Sequence, residues 1–77
     1  MSRTFTDQDL QTWEAYASAG ETGLASGPRV VFQCVSDPQR RPRFAAGQGD
    51  EADAEAAVHS MSVDDLRALL AKSEELP

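Results

Sequence analysis

Between Pro28 and Pro38 the chain reads Arg-Val-Val-Phe-Gln-Cys-Val-Ser, its densest run of β-branched and aromatic residues. A prolyl boundary at each end and this composition define a strand over Arg29–Ser36. Side chains alternate across a strand, so Val30, Phe32 and Cys34 share one face and Val31, Gln33 and Val35 the other. The first face is wholly apolar and the second nearly so. Such a strand sits in the middle of a sheet and asks for cover on both sides. The rest of the chain has to supply that cover.

The means are limited. Seventy-seven residues make one domain, 1–77, and a chain this short buries only roughly 60–65% of its unfolded surface. One cysteine allows no internal disulfide, and no Cys/His cluster offers a structural metal. With 40% hydrophobic residues the chain is globular despite 26% charge. The net charge of −6 is uneven: −3 over residues 1–27, +3 over 28–44 and −6 over 45–77. The acidic end opposes non-specific nucleic-acid binding by the whole molecule. The opening Met-Ser-Arg-Thr-Phe-Thr-Asp has no apolar signal region, and no apolar run approaches ~20 residues. A lone free cysteine fits a reducing compartment, so the expected location is the cytoplasm.

Residues 3–20 fit two structures. As a helix, Thr6 is the N-cap with Asp9 at N3, Phe5 and Leu10 form a hydrophobic staple, and Gly20 is the C′ glycine. As a hairpin, Arg3–Thr6 is one strand, Asp7–Leu10 the turn and Gln11–Ser18 the return. Trp13, Ala15 and Ala17 then face one way, and Thr12, Glu14, Tyr16 and Ser18 the other.

Phe5-Thr6-Asp7-Gln8-Asp9-Leu10-Gln11-Thr12-Trp13 resembles the opening of a group of short bacterial proteins with no known activity. In that group Phe-Thr-Asp leads to a turn glycine and then a Trp on the returning strand. Leu10 stands where that glycine is expected. The group continues, as here, with an apolar strand, an Arg-rich turn and a Leu-rich helix introduced by Ser-x-x-Asp/Glu-Leu. The resemblance implies the hairpin.

Gly20–Gly27 reads as a loop that Leu24 could pin to the core. Ser36–Arg40 is a turn, since Asp37 precedes Pro38. Arg41–Ala46 returns as a short strand with Phe44 inward. Pro42 makes it an edge strand, or else starts outside the sheet. Gly47-Gln48-Gly49 breaks the pattern. Asp50–Ser60 is alanine-rich with acids first, a short helix burying Ala54, Ala57 and Val58. Ser62 and Asp65 frame a second helix start with Met61 and Leu66 as a staple. From there Val63, Leu66, Leu69, Leu70 and Leu76 keep helical spacing and cover one face of the central strand.

Chemistry finds little support. Cys34 with His59 as a nucleophile and base would need an exposed, electropositive thiol, whereas Cys34 lies mid-strand among valines. Glu55 and His59 stand at i, i+4, but two ligands do not make a zinc site. Gly47-Gln48-Gly49 lacks the setting of a phosphate loop. No catalytic, cofactor-binding or metal-binding residue is expected.

The candidate partner-binding residues are Arg29, Arg40, Arg41, Arg43 and Tyr16. Guanidinium groups on a turn bind carboxylates and phosphates bidentately, although arginines beside an edge strand also guard against edge pairing or pair with acidic helices. The expected architecture is α+β: a three- to four-stranded antiparallel meander with a C-terminal helical segment packed on one face. The expected role is a small non-enzymatic interaction or regulatory module, whose partner is another protein or a second copy of the chain. A homodimer would cover a second sheet face left bare. The alternatives are a nucleic-acid binder using the arginines, or an acidic nucleic-acid mimic using residues 50–75.

Overall fold

Asp7 settles the opening of the chain. Its carboxylate accepts the amides of Asp9 (2.8 Å) and Gln11 (2.9 Å) on Oδ1 and the indole Nε1–H of Trp13 (2.7 Å) on Oδ2. The Leu10 amide donates to the Asp7 carbonyl at 3.2 Å, and the Asp7 amide to the Gln11 carbonyl at 2.9 Å. That is a tight turn followed by one residue in the left-handed region, here Leu10 at φ 66°, the usual build of a three-residue hairpin loop. The hairpin reading of residues 3–18 therefore holds, in a computed structural model that describes residues 2–18, 28–47 and 49–75. The 20–27 loop with Leu24, and Leu76, lie outside the described residues.

The strands are β1 (Arg3–Thr6), β2 (Thr12–Ser18), β3 (Arg29–Cys34), β4 (Arg43–Ala46) and β5 (Glu74–Glu75). They form one antiparallel sheet in the order β1-β2-β3-β4-β5, with the apolar β3 at its centre. Two helices, α1 (Glu51–Ser60) and α2 (Val63–Lys72), lie between β4 and β5 in sequence. The fold is α+β with five strands, not three or four. The additional strand is two acidic residues that carry no strand signal of their own, held against β4 in the register Arg43↔Glu75 and Phe44↔Glu74. β4 consequently is not an edge. It begins at Arg43, so Pro42 falls outside the sheet, where its missing N–H costs no ladder bond.

Both helices start on a side-chain cap. Asp50 Oδ1 accepts the Asp53 amide (2.9 Å) while Asp53 Oδ2 accepts the Asp50 amide (3.2 Å), a reciprocal capping box. Gly49 enters this cap at φ 71°, and a Cβ there would collide with the Asp53 carboxylate, so only glycine fits. At α2 the Ser62 hydroxyl accepts the Asp65 amide at 3.1 Å.

Arginines fasten the helices to the sheet. Arg3 Nη1 donates to the carbonyls of Val58 (3.0 Å) and His59 (3.1 Å) in the last turn of α1 and of Met61 (2.8 Å) just beyond it. Arg43 Nε donates to the Ser73 hydroxyl at 2.8 Å and its Nη2 to the Ser73 carbonyl, closing the end of α2. Arg67 Nε donates to the Thr6 carbonyl at 2.7 Å. Helix C-termini leave carbonyls unpaired, and a cation there satisfies them and complements the helix dipole.

The core lies between the helices and one sheet face. It comprises Phe5, Trp13, Ala15, Val30, Phe32, Cys34, Val58, Leu66 and Leu70, with Ala45, Met61 and Leu69 packed against it. The Phe5 and Phe32 rings meet edge to face with centroids 6.1 Å apart. The expected cover of Val30, Phe32 and Cys34 by the helical segment is therefore present. Three inward expectations need correction. Ala57 is exposed, since it lies about 80° around the helix from the Ala54/Val58 stripe. Val63 opens α2 at the turn from α1 and is 38% exposed. Phe44 points away from the helices, because the register sets Arg43 opposite Phe32 and Phe44 opposite Val31. Arg43 takes the inward position to reach Ser73.

Candidate functional site

The five candidate residues fall into two groups, separated by the alternation of the strands. Arg40, Arg41 and Arg43 line an open cleft of about 280 Å³ with Trp13, Gln39 and Glu75. Two of the three are held by contacts within the chain. Arg40 lies 3.6 Å from the Asp37 carboxylate, and Arg43 serves Ser73 and stands 4.0 Å from Glu75. Arg41 is exposed on the turn. The positive charge of Arg40 also reaches the hairpin turn. Partial burial pushes the Asp7 carboxyl upward, but hydrogen bonds from Trp13, Gln11 and Asp9 together with Arg40 outweigh it, and hold Asp7 below its ordinary value of 3.8.

Arg29 and Tyr16 lie on the face of the sheet opposite the helices. The register carries a continuous row across it, Tyr16↔Val31↔Phe44↔Glu74. One step along the strands in one direction stand Ser18↔Arg29↔Ala46, and one step in the other stand Thr4↔Glu14↔Gln33. The Arg29 guanidinium carbon lies 4.9 Å from the centroid of the Phe44 ring, a cation–π contact. Tyr16 and Phe44 are half-buried, and Val31 between them is only 8% exposed. The Ser2 hydroxyl donates to a Glu14 carboxylate oxygen at 3.0 Å. Among the described residues α1 borders this face at one edge, where Glu51 and Glu55 line an open cleft with Ser2, Glu14, Tyr16 and Gln33.

The face thus has an apolar centre, an arginine on one side of it and a glutamate on the other. Phe44 and Val31 are the members that sequence reasoning missed. Val31 was visible as the second apolar face of β3. Phe44 was hidden because the facing of a four-residue strand depends on its register, and one step reverses every side chain.

The remaining candidates stay apart. Cys34 is a buried free thiol, 5% exposed, whose sulfur lies 3.7 Å from the Ser36 hydroxyl and 3.9 Å from Gln11 Oε1. His59 stands on α1 with Nε2 4.0 Å from the Glu55 carboxylate. Among the described residues no third metal-ligating group joins them, and no helix is long and apolar enough to cross a membrane. Comparison with protein families, with characterised proteins and with solved structures gives no significant match to the chain.

Proposed function

We propose that the chain is a small non-enzymatic interaction module whose helix-free sheet face, centred on Tyr16, Val31 and Phe44, binds another protein chain. The observation that supports this reading most is the row itself: two aromatic side chains flank a valine where no described element covers them. Protein interfaces place aromatic residues and arginine at a desolvated centre and charges at the rim, and this face has that arrangement. The arginine turn supports a nucleic-acid reading less well. Arg40 and Arg43 are turned toward Asp37, Glu75 and Ser73 within the chain, so a phosphate would have to displace contacts already made.

The test is capture of tagged wild-type chain and of two variants from a cell extract. Phe44→Glu puts a charge into the centre of the row, and Arg41→Ala removes the exposed arginine of the turn. Chains retained by the wild type and by Arg41→Ala but lost with Phe44→Glu are the expected result. Identical retention by all three, with Phe44→Glu shown folded by circular dichroism, would sink the proposal.

A further inference from the structure

Resting on the reading of the helix-free face as a binding surface, we propose that its occupant is a second copy of this chain, related by a two-fold axis along the Tyr16–Val31–Phe44 row. The argument comes from the register. An isologous pair joins one patch to itself, so every group at a given height on one side of the axis meets its mirror position on the other copy. With the axis along the row, Tyr16 meets Tyr16, Val31 meets Val31 and Phe44 meets Phe44. Arg29 lies two residues from Val31 on β3, and Gln33 lies two residues the other way. The axis therefore sets Arg29 of one copy over Gln33 of the other, with Glu14 one strand to the side, since Glu14 pairs with Gln33.

Neighbouring strands are ~4.8 Å apart and stacked sheets ~10 Å apart, a span that Arg29 and Glu14 bridge together when Arg29 swings off the Phe44 ring and Glu14 releases the Ser2 hydroxyl. The contact occurs twice, once on each side of the axis. An axis along the central strand β3 instead would superpose Arg29 on Arg29, a like-charge contact. The charge pattern of this one face selects the first arrangement, in which sheets stack aligned as in a sandwich. The cost is that the two copies of Glu74 approach at the rim, where Glu74 is exposed and the repulsion is screened.

The 23 strand residues, at ~3.3 Å rise and ~4.8 Å strand spacing, give a flat footprint of roughly 360 Å² per copy. Side-chain relief enlarges it toward the ~600 Å² per partner at the low end of specific interfaces. The association is therefore weak, and the concentration range of the test has to extend from low micromolar to millimolar.

Sedimentation equilibrium on the full chain measures it directly, with Arg29→Glu, Glu14→Arg and the double variant alongside. In a single copy these residues lie about 13 Å apart, four positions along the strands, so they do not pair with each other within one chain; each reversal removes one local contact, Arg29 on Phe44 or Ser2 on Glu14, and the double variant, which lacks both, separates that loss from the contact between copies. The expected result is a monomer–dimer equilibrium that each single reversal weakens roughly tenfold or more, and that the double reversal restores to within about threefold of wild type. A chain monomeric at every concentration overturns the proposal, and so does a dimer that both reversals leave unchanged or that the double variant fails to restore. The two readings fail separately. A monomeric chain whose Phe44→Glu variant still loses a captured protein removes the second copy as occupant and leaves the face as a binding surface. A monomeric chain whose capture ignores Phe44→Glu removes both.

Discussion

On the helix side of the sheet Phe5, Trp13, Ala15, Phe32 and Cys34 are at most 5% exposed; on the other side, in the same strands, Thr4 and Gln33 are exposed and Glu14 and Tyr16 half-buried. Strand β3 contributes apolar side chains to both. Its own composition places it at the centre of the sheet without saying which faces are closed. The neighbouring strands decide that. β2 offers Trp13 and Ala15 inward and Glu14 and Tyr16 outward, so two short helices seal one face and, among the described residues, no helix seals the other. A chain of 77 residues has enough helix to cover a sheet once.

The comparison is broken most directly by truncating neighbours on β3. Phe32→Ala removes a side chain with no exposure and should cost about 3–5 kcal/mol. Gln33→Ala, one residue on and facing the other way, should change stability by less than about 0.5 kcal/mol. Urea denaturation of the two variants measures both. Equal losses would mean that the two faces are equally closed and that the helix-free face is not a free surface.

The arginine clasps sharpen the same contrast, because they belong to the covered side. Arg3→Met keeps most of the aliphatic stem and removes the donors that reach Val58, His59 and Met61. Hydrogen bonds from a charged group are worth about 1.5–3 kcal/mol in total when the carbonyls left behind are part-buried. The loss should therefore be about 2 kcal/mol, read as a lower urea midpoint, with amide exchange quickening first at the end of α1. A variant with wild-type exchange there would show that water replaces the guanidinium without penalty.

Much of this division was legible beforehand. The apolar strand 29–36, the acids at the start of α1 and the Ser62 cap each name an element from local chemistry, and the structure contains all three, the strand ending at Cys34 with Val35 exposed beyond it; over 3–20 local chemistry fits a helix as well as the hairpin. What escaped was decided at a distance. Nothing in Glu74-Glu75 reads as a strand, and its place beside β4 follows from Arg43 gripping Ser73. That same grip turns Arg43 inward and Phe44 outward, which puts Phe44 on the face where it was not expected. Arg29, Tyr16 and the turn arginines were named together, and strand parity separated them.

Asp7 links the hairpin turn to the covered face through Trp13. Asp7→Ala should cost about 1–2 kcal/mol, since three donors lose their acceptor and two of them are backbone amides that water can reach. The pH dependence carries a sign. The Asp7 carboxyl is held below 3.8 in the folded chain, so the unfolded chain binds the proton more readily. Its contribution is present above about pH 4 and is lost as the pH falls through the lowered folded value. Wild type and Asp7→Ala should differ in denaturation midpoint at neutral pH and converge in acid. A gap that persists undiminished at low pH would assign the cost to the turn backbone and not to the carboxylate.

Leu10 gives the smallest effect and the finest distinction. It holds φ 66° and is 82% exposed, so it bears the left-handed conformation with little packing in return. That conformation costs a Cβ-bearing residue about 1–2 kcal/mol, while glycine adds about 0.5–1 kcal/mol of unfolded-chain entropy. Leu10→Gly should therefore stabilise the fold by about 0–1.5 kcal/mol, seen as a small rise in urea midpoint. The hairpin tip belongs to neither the sealed core nor the Tyr16–Val31–Phe44 row, so the dimerisation constant should stay at its wild-type value. A Leu10→Gly chain that is more stable and yet associates several-fold more weakly would extend the binding surface past the row to the end of the hairpin, and would give the exposed leucine a reason to occupy a glycine's position.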